Sequence, residues 1–214
     1  AHRGDESVRV FQSVAADPEN QLARLHAIWG LGMIARGTKI EQGDPNHPME
    51  FVRPLLMDED REVRGQAAKI IGEAGYQPAS EDIVALVFDP EPRVVYHATM
   101  AVGRMDNIDG LDAITEMLWE NDNRDVLLRH AGVMALNWLD DREALLELAR
   151  DDFSAVRLAV LLALRRNADP AIEGFLMDPD PFIAAEAARA INDLPIESSM
   201  PALLERLDDY RVME

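Results

Sequence analysis

Asp58-Glu59-Asp60-Arg61-Glu62-Val63-Arg64-Gly65-Gln66-Ala67-Ala68-Lys69-Ile70-Ile71-Gly72 is the stretch whose reading decides the fold. An acidic turn opens it. Val63, Ala67, Ile70, Ile71 and, two residues beyond the stretch, Ala74 then recur at the i, i+4, i+7, i+8, i+11 positions of a helix buried along one face. One such helix cannot cover its own apolar stripe. The chain answers by writing the same pattern again on both sides of it.

Aligned on Arg64, residues 89–94 repeat 58–63 and put Val95 in the arginine slot. Residues 151–157 repeat it again and end on Arg157; residues 178–184 repeat it and end on Ala184. Residues 123–128 lead to Arg129, and Asp17-Pro18-Glu19-Asn20 leads to Arg24, one residue out of step. The anchors Arg24, Arg64, Val95, Arg129, Arg157 and Ala184 are spaced by 40, 31, 34, 28 and 27 residues. A period in this range belongs to a solenoid, in which each unit buries its apolar face only against its neighbours. A shorter apolar segment precedes each anchored helix, at 8–15, 49–57, 83–88, 111–119, 144–149 and 171–177. Each unit is therefore a hairpin of helix A, acidic turn and helix B, and no alternating β-branched run calls for a strand.

The Asp-x-x-x-x-Val-Arg-x-x-Ala-Ala-x-x-(Ile/Leu)-Gly pattern, best at 58–72, resembles the HEAT-repeat family, in particular the short repeats of phycobilisome-lyase-type HEAT-like proteins. Val95 and Ala184 depart from it by lacking the arginine, and Asn192 stands where the pattern has glycine. The resemblance implies an all-α fold, a right-handed α-α superhelix (solenoid) of about six helical hairpins plus a final unpaired helix. As one domain over 1–214, its units fall at approximately 5–37, 48–76, 80–106, 109–140, 141–167 and 169–194, with a half unit at 198–210.

Within that frame the chain reads in order. Helix A1 is expected from about Asp5, after an irregular start over 1–4. The next helix should stop at Arg36-Gly37, with the glycine just past its end. Residues 38–48, rich in Gly, Pro, Asp and Asn, form the longest interruption and read as a surface loop. Pro54 predicts a bend in the following helix. Ser80 reads as the N-cap of a short helix to Phe88, and Ser198 or Ser199 as the cap of the last helix, 200–207. That last helix has no B partner and offers Leu203, Leu204 and Leu207 for further packing, so more protein is expected after Glu214.

Composition bounds the chemistry. There is no cysteine, which excludes disulfides, thiolate metal sites and cysteine nucleophiles. The formal charge is −19, from 40 acidic against 21 basic residues, which argues against nucleic acid as a partner and fits a basic one. No stretch is long and apolar enough to span a membrane. Either cytoplasm or periplasm fits.

The acidic turns, Asp58/Asp60, Asp89/Glu91, Asp122, Asp151/Asp152 and Asp178/Asp180, are expected to cap the B helices and to pair with neighbouring arginines. Asp178-Pro179-Asp180 lacks the glycine and closing glutamate of a calcium loop. His26, Gln66, His97 and Glu186 share the slot two past the anchor, with His130 one earlier. His26 and His97 stand two repeats apart, roughly 20 Å at ordinary helix spacings, too far to share a metal. Trp29, Tyr96, Trp119 and Trp138 read as core, with binding anchors as the alternative. No catalytic, cofactor or metal site emerges. The candidate partner-binding groove is Arg24, His26, Arg64, Gln66, His97, Arg129, His130, Arg157 and Glu186.

By resemblance, the function implied is a non-catalytic interaction or scaffold module that holds a protein or peptide on the concave face. An alternative comes from residues 24–32, Arg-Leu-His-Ala-Ile-Trp-Gly-Leu-Gly, which resemble the HEAT segment of large extracytoplasmic bacterial dehydrogenase-like proteins that also carry a c-type cytochrome domain. A third is a bilin lyase or its partner subunit, by similarity of repeat type.

Overall fold

The computed structural model describes the backbone of residues 2–212 and the side chains of residues 6–207. All regular structure among the described residues is helical. The chain is an α-solenoid that divides into two compact units, residues 1–117 and 118–214.

The first unit opens with α1 (His2–Ala15) and α2 (Gln21–Gly37). It continues with α3 (Pro48–Val52), α4 (Arg61–Ala74), α5 (Ser80–Ala85) and α6 (Pro92–Arg104). Helix α7 (Leu111–Asn121) follows. The second unit carries α8 (Val126–Leu139), α9 (Arg142–Leu148), α10 (Ser154–Arg166), α11 (Pro181–Asp193) and α12 (Met200–Val212). The B helices are α2, α4 and α6 in the first unit and α8, α10 and α11 in the second. The anchor slot falls four residues past the N-cap in every one: Asn20 before Arg24, Asp60 before Arg64, Glu91 before Val95, Asp125 before Arg129, Phe153 before Arg157 and Asp180 before Ala184.

Neighbouring B helices pack directly, α2 on α4 and α4 on α6 in the first unit, α8 on α10 and α10 on α11 in the second. Small residues permit this. A Cβ on Gly72 would lie 2.5 Å from the Ala101 Cβ, and one on Gly32 would lie 2.5 Å from the Ile70 side chain. The glycine that closes the repeat pattern is thus a contact point for the next helix.

Several A segments tighten into 3-10 turns where the sequence reads as α-helix. Pro54, lacking an N–H, ends α3 at Val52, and residues Arg53–Met57 continue as a 3-10 helix. The segment Leu86–Phe88 closes α5 in the same way, and Pro170–Met177 is 3-10 throughout. Ser80 is not a cap: it is the first residue of α5, and its hydroxyl donates to the Gln77 carbonyl. Ser199 likewise turns its hydroxyl to the Pro170 carbonyl. Gly37 is the last residue of α2 rather than a left-handed cap, because Thr38 follows in extended conformation and closes the helix through its own N–H. The left-handed position after a B helix is taken instead by Gly75 and, without glycine, by Asp106, Asp140 and Ala168. Helix α1 already includes residues 2–4, and α12 runs on to Val212; Ala1 and the last two residues of the expected chain ends lie outside the described residues. In α12 Leu203 is buried, while Leu204 and Leu207 are exposed.

The 38–48 interruption is held down rather than free. Gln42 donates to the Gly75 carbonyl and accepts from the Gln77 N–H. The Gly43 N–H donates to the hydroxyl of buried Tyr76, whose ring stacks on His47 at 4.7 Å and whose hydroxyl donates to Glu50. Burial and the bond to Glu50 push the Tyr76 phenol up to about 12.

Candidate functional site

The anchor arginines separate into two kinds. Arg64 donates to both carboxylate oxygens of Asp89 in the next turn, at 2.8 and 3.0 Å, and to the carbonyls of Asp58 and Glu59 in its own turn. Arg157 repeats this with Asp178, at 2.8 and 2.9 Å, and with the carbonyls of Asp151 and Asp152. Arg24 pairs with Asp58 and donates to the Ala15 carbonyl. All three are largely withdrawn from solvent. Each is a planar fork that joins one turn to the next, the geometry in which arginine exceeds lysine. The Asp89 bond lifts the Arg64 pKa, and the Asp178 bond lifts that of Arg157. Burial pushes the Asp178 carboxyl up, but the Arg157 bond, the Asp180 amide and the Arg157 charge outweigh it and hold the group below the usual range. Of the acidic turns, Asp60 and Asp180 cap their B helices, while Asp151 accepts from the Phe153 N–H. Glu91 makes no cap bond, and in the fourth repeat the cap is Asp125 rather than Asp122.

Arg129 occupies the same slot and forms no ion pair among the described residues. Its turn is built differently. Asp122 and Asn123 both take the left-handed conformation, at φ 43° and 58°. Arg124 donates to the carbonyls of Glu120 and Asn121, and Asn121 bonds Asp125 through both its amide and its carbonyl oxygen. Arg124, and not Arg129, is the arginine that donates to carbonyls of this turn. Arg129 lines a groove of about 630 Å³ across α8 and α10, together with His130, Arg165 and Arg166. Val126, Val133, Leu162 and Leu194 supply the apolar part. Arg165 is engaged by Glu186 at 2.5 Å and Asp193 at 2.9 Å, whereas Arg166 is exposed and, like Arg129, unpaired among the described residues.

The remaining predicted residues distribute as follows. Glu186 is buried and held by Arg165 and Arg189. In the first unit His26 is exposed and meets Trp29 edge-on at 5.0 Å; Gln66 is buried and accepts from the Trp29 indole at 2.8 Å. His97 is half-buried, edge-on to Tyr96. Burial, then the charges of Arg93, Lys69 and Arg104, push the His97 imidazole down to about 4. Beside it Glu73 gathers Arg36 at 3.0 Å, Arg104 at 3.8 Å and Lys69 at 3.9 Å. The structure therefore brings Arg129 and His130 together in one groove and His26 and Gln66 around Trp29, while Arg24, Arg64 and Arg157 lie in the turn-to-turn clasps.

Two tryptophans expected in the core are at the surface, Trp29 at 37% and Trp119 at 47% exposure. Trp29 shares an exposed stripe of α2 with Leu22, His26, Met33 and Arg36, and Trp119 leans on Phe153 at 5.0 Å. Arg165, Arg166, Leu162 and Leu194 were not singled out from sequence. The adjacent basic pair in so acidic a chain was the signal available for them. Among the described residues no group of three or more His, Asp or Glu side chains is placed to hold a metal ion, and no helix is long and apolar enough to cross a membrane.

Comparison with known proteins agrees with this geometry. Residues 49–137 match the family described as HEAT repeats. No curated protein sequence matches the chain. Among solved structures it is similar to an engineered protein, at 18% identity and a TM-score of 0.54, over 90% of this chain and 97% of that one. It is also similar to a designed armadillo repeat protein in complex with the peptide (KR)4, at 16% identity and a TM-score of 0.53, over 94% and 98%. A third is a computationally designed armadillo repeat protein for modular peptide recognition, at 17% identity and a TM-score of 0.52, again over 94% and 98%. At these identities the likeness is one of fold.

Proposed function

Starting from a HEAT-repeat chain folded as an α-solenoid, we propose that it is a non-catalytic interaction module that holds a peptide or extended protein segment on its B helices. The observation that carries this reading is the groove across α8 and α10. It offers apolar side chains, the guanidinium groups of half-buried Arg129 and exposed Arg166, and room of about 630 Å³ that no described side chain of the protein fills. Pockets that take ligands combine an apolar lining with a few placed polar groups in this way. The clasps support the reading from the other side. The Arg157–Asp178 clasp ties the start of α10, one wall of the groove, to the turn before α11, so that wall is presented on a rigid element.

A random peptide library panned against the whole chain tests this without assuming a charge. Selected peptides are expected to bind saturably and to lose about tenfold in affinity, near 1.4 kcal/mol, when the apolar lining is trimmed by Val126→Ala with Leu162→Ala. The reading fails if no peptide binds saturably, or if those that do bind the trimmed protein equally well.

A further inference from the structure

The groove of the second unit has a charge opposite to that of the chain as a whole. Arg129 and Arg166 are unpaired among the described residues, and His130 beside them is exposed. Arg165 adds little, since Glu186 and Asp193 already engage it, and Arg189 is likewise committed to Glu186. Two free guanidinium groups and an imidazole thus face a cleft floored by Val133 and Leu162, in a protein whose formal charge is −19.

The fold explains only part of this charge. Arg165 and Arg166 fall in the last turn of α10, where cations offset the helix dipole. That accounts for a charge at that helix end; it does not account for Arg129, which stands near the start of α8, where a cation is unfavourable. The repeat slot accounts for an arginine at 129 only if it clasps the next turn, and it does not. What remains is a cation placed against the local dipole, next to apolar surface, with no partner of its own.

Resting on the interaction role above, we propose that this groove takes an acidic peptide: carboxylates on Arg129 and Arg166, with an adjoining apolar side chain against Leu162 and Val133. Guanidinium groups pair carboxylates in two-point fashion, which makes arginine the side chain of choice for such a contact. The overall negative field opposes the approach of an acidic partner, so selectivity here resides in the bound state and not in steering.

The test uses the whole chain and a fluorescein-labelled peptide of Glu, Leu and Gly, beside a counterpart with Lys in place of Glu, followed by anisotropy. The acidic peptide is expected to bind saturably, and Arg129→Glu with Arg166→Glu to weaken it about a hundredfold, from two reversed contacts. The milder Arg129→Gln with Arg166→Gln is expected to weaken it about tenfold and guards against a fold defect, with circular dichroism checking both variants. Absence of saturable binding of the acidic peptide overturns the proposal, as does binding that neither variant weakens. If the Lys peptide binds equally well and loses affinity on Val126→Ala with Leu162→Ala, the acidic assignment falls while the interaction role stands. If neither these peptides nor any library peptide binds, both fall.

Discussion

Arg64 and Arg129 stand four residues past the N-cap of equivalent helices, yet one is a structural joint and the other a half-buried cation that lines a groove without an ion pair among the described residues. The difference does not lie in the arginines. It lies in the turns before them. Residues 58–60 leave carbonyls pointing at Arg64, and the turn of the following repeat offers Asp89. In 121–125 two residues are left-handed, and the arginine that donates to turn carbonyls, those of Glu120 and Asn121, is Arg124 and not the arginine of the B helix. A repeat position is thus a place and not a role: the neighbouring turn decides whether the side chain there is consumed by the fold or left for a partner.

The comparison breaks most directly at the two arginines themselves. Arg64→Ala strands the carboxylate of Asp89, which is almost wholly buried, and leaves two turn carbonyls without their donor. The expected loss is about 3 kcal/mol of unfolding free energy, because removing one partner of a buried pair leaves the other desolvated and uncompensated. Arg129→Ala removes a side chain with no pair and is expected to change stability by less than about 0.5 kcal/mol. Urea unfolding of both variants, with slopes compared to the parent, checks the contrast. Equal losses at the two positions would erase it.

A gentler difference sits two residues further along the repeat. His26 is exposed, whereas His97 is half-buried among Arg93, Lys69 and Arg104 and is held neutral down to about pH 4. Its folded pKa is below its unfolded value of about 6.5, so the stability it contributes is fully present above about pH 6.5. That contribution is lost as the pH falls toward the folded pKa, because the unfolded chain binds the proton first. His97→Gln is expected to flatten the pH dependence of the melting temperature in that window. An unaltered profile in His97→Gln would show that the imidazole is better solvated than its position implies.

Much of the fold was legible because the repeat is written in strong local terms: the apolar stripe of 63–74, acidic residues at helix starts, and a recurring interval. The pairing of the acidic turns with Arg24, Arg64 and Arg157 followed from that regularity. What escaped depends on neighbours in space. Nothing local in Val126-Leu127-Leu128-Arg129 distinguishes it from Arg61-Glu62-Val63-Arg64; the distinction comes from left-handed backbone at Asp122 and Asn123 and from Arg124. Trp29 and Trp119 read as core because their bulk outweighs their position, although Trp29 shares a helical stripe with His26, Met33 and Arg36. The balance of charge is a property of the whole chain: −19 reads as fitting a basic partner, and it gives no sign that Arg129 and Arg166 line one groove.

The division between consumed and available arginines is most directly tested by the side-chain Nε–Hε signals of the arginines in a 15N-labelled chain, recorded before and after adding the Glu, Leu and Gly peptide. The account predicts slowly exchanging signals for Arg64 and Arg157 that the peptide leaves in place, and rapidly exchanging signals for Arg129 and Arg166 that sharpen and shift on binding. An Arg129 signal as protected as that of Arg64 before any peptide is added, or a peptide that moves Arg64 and spares Arg129, would contradict it.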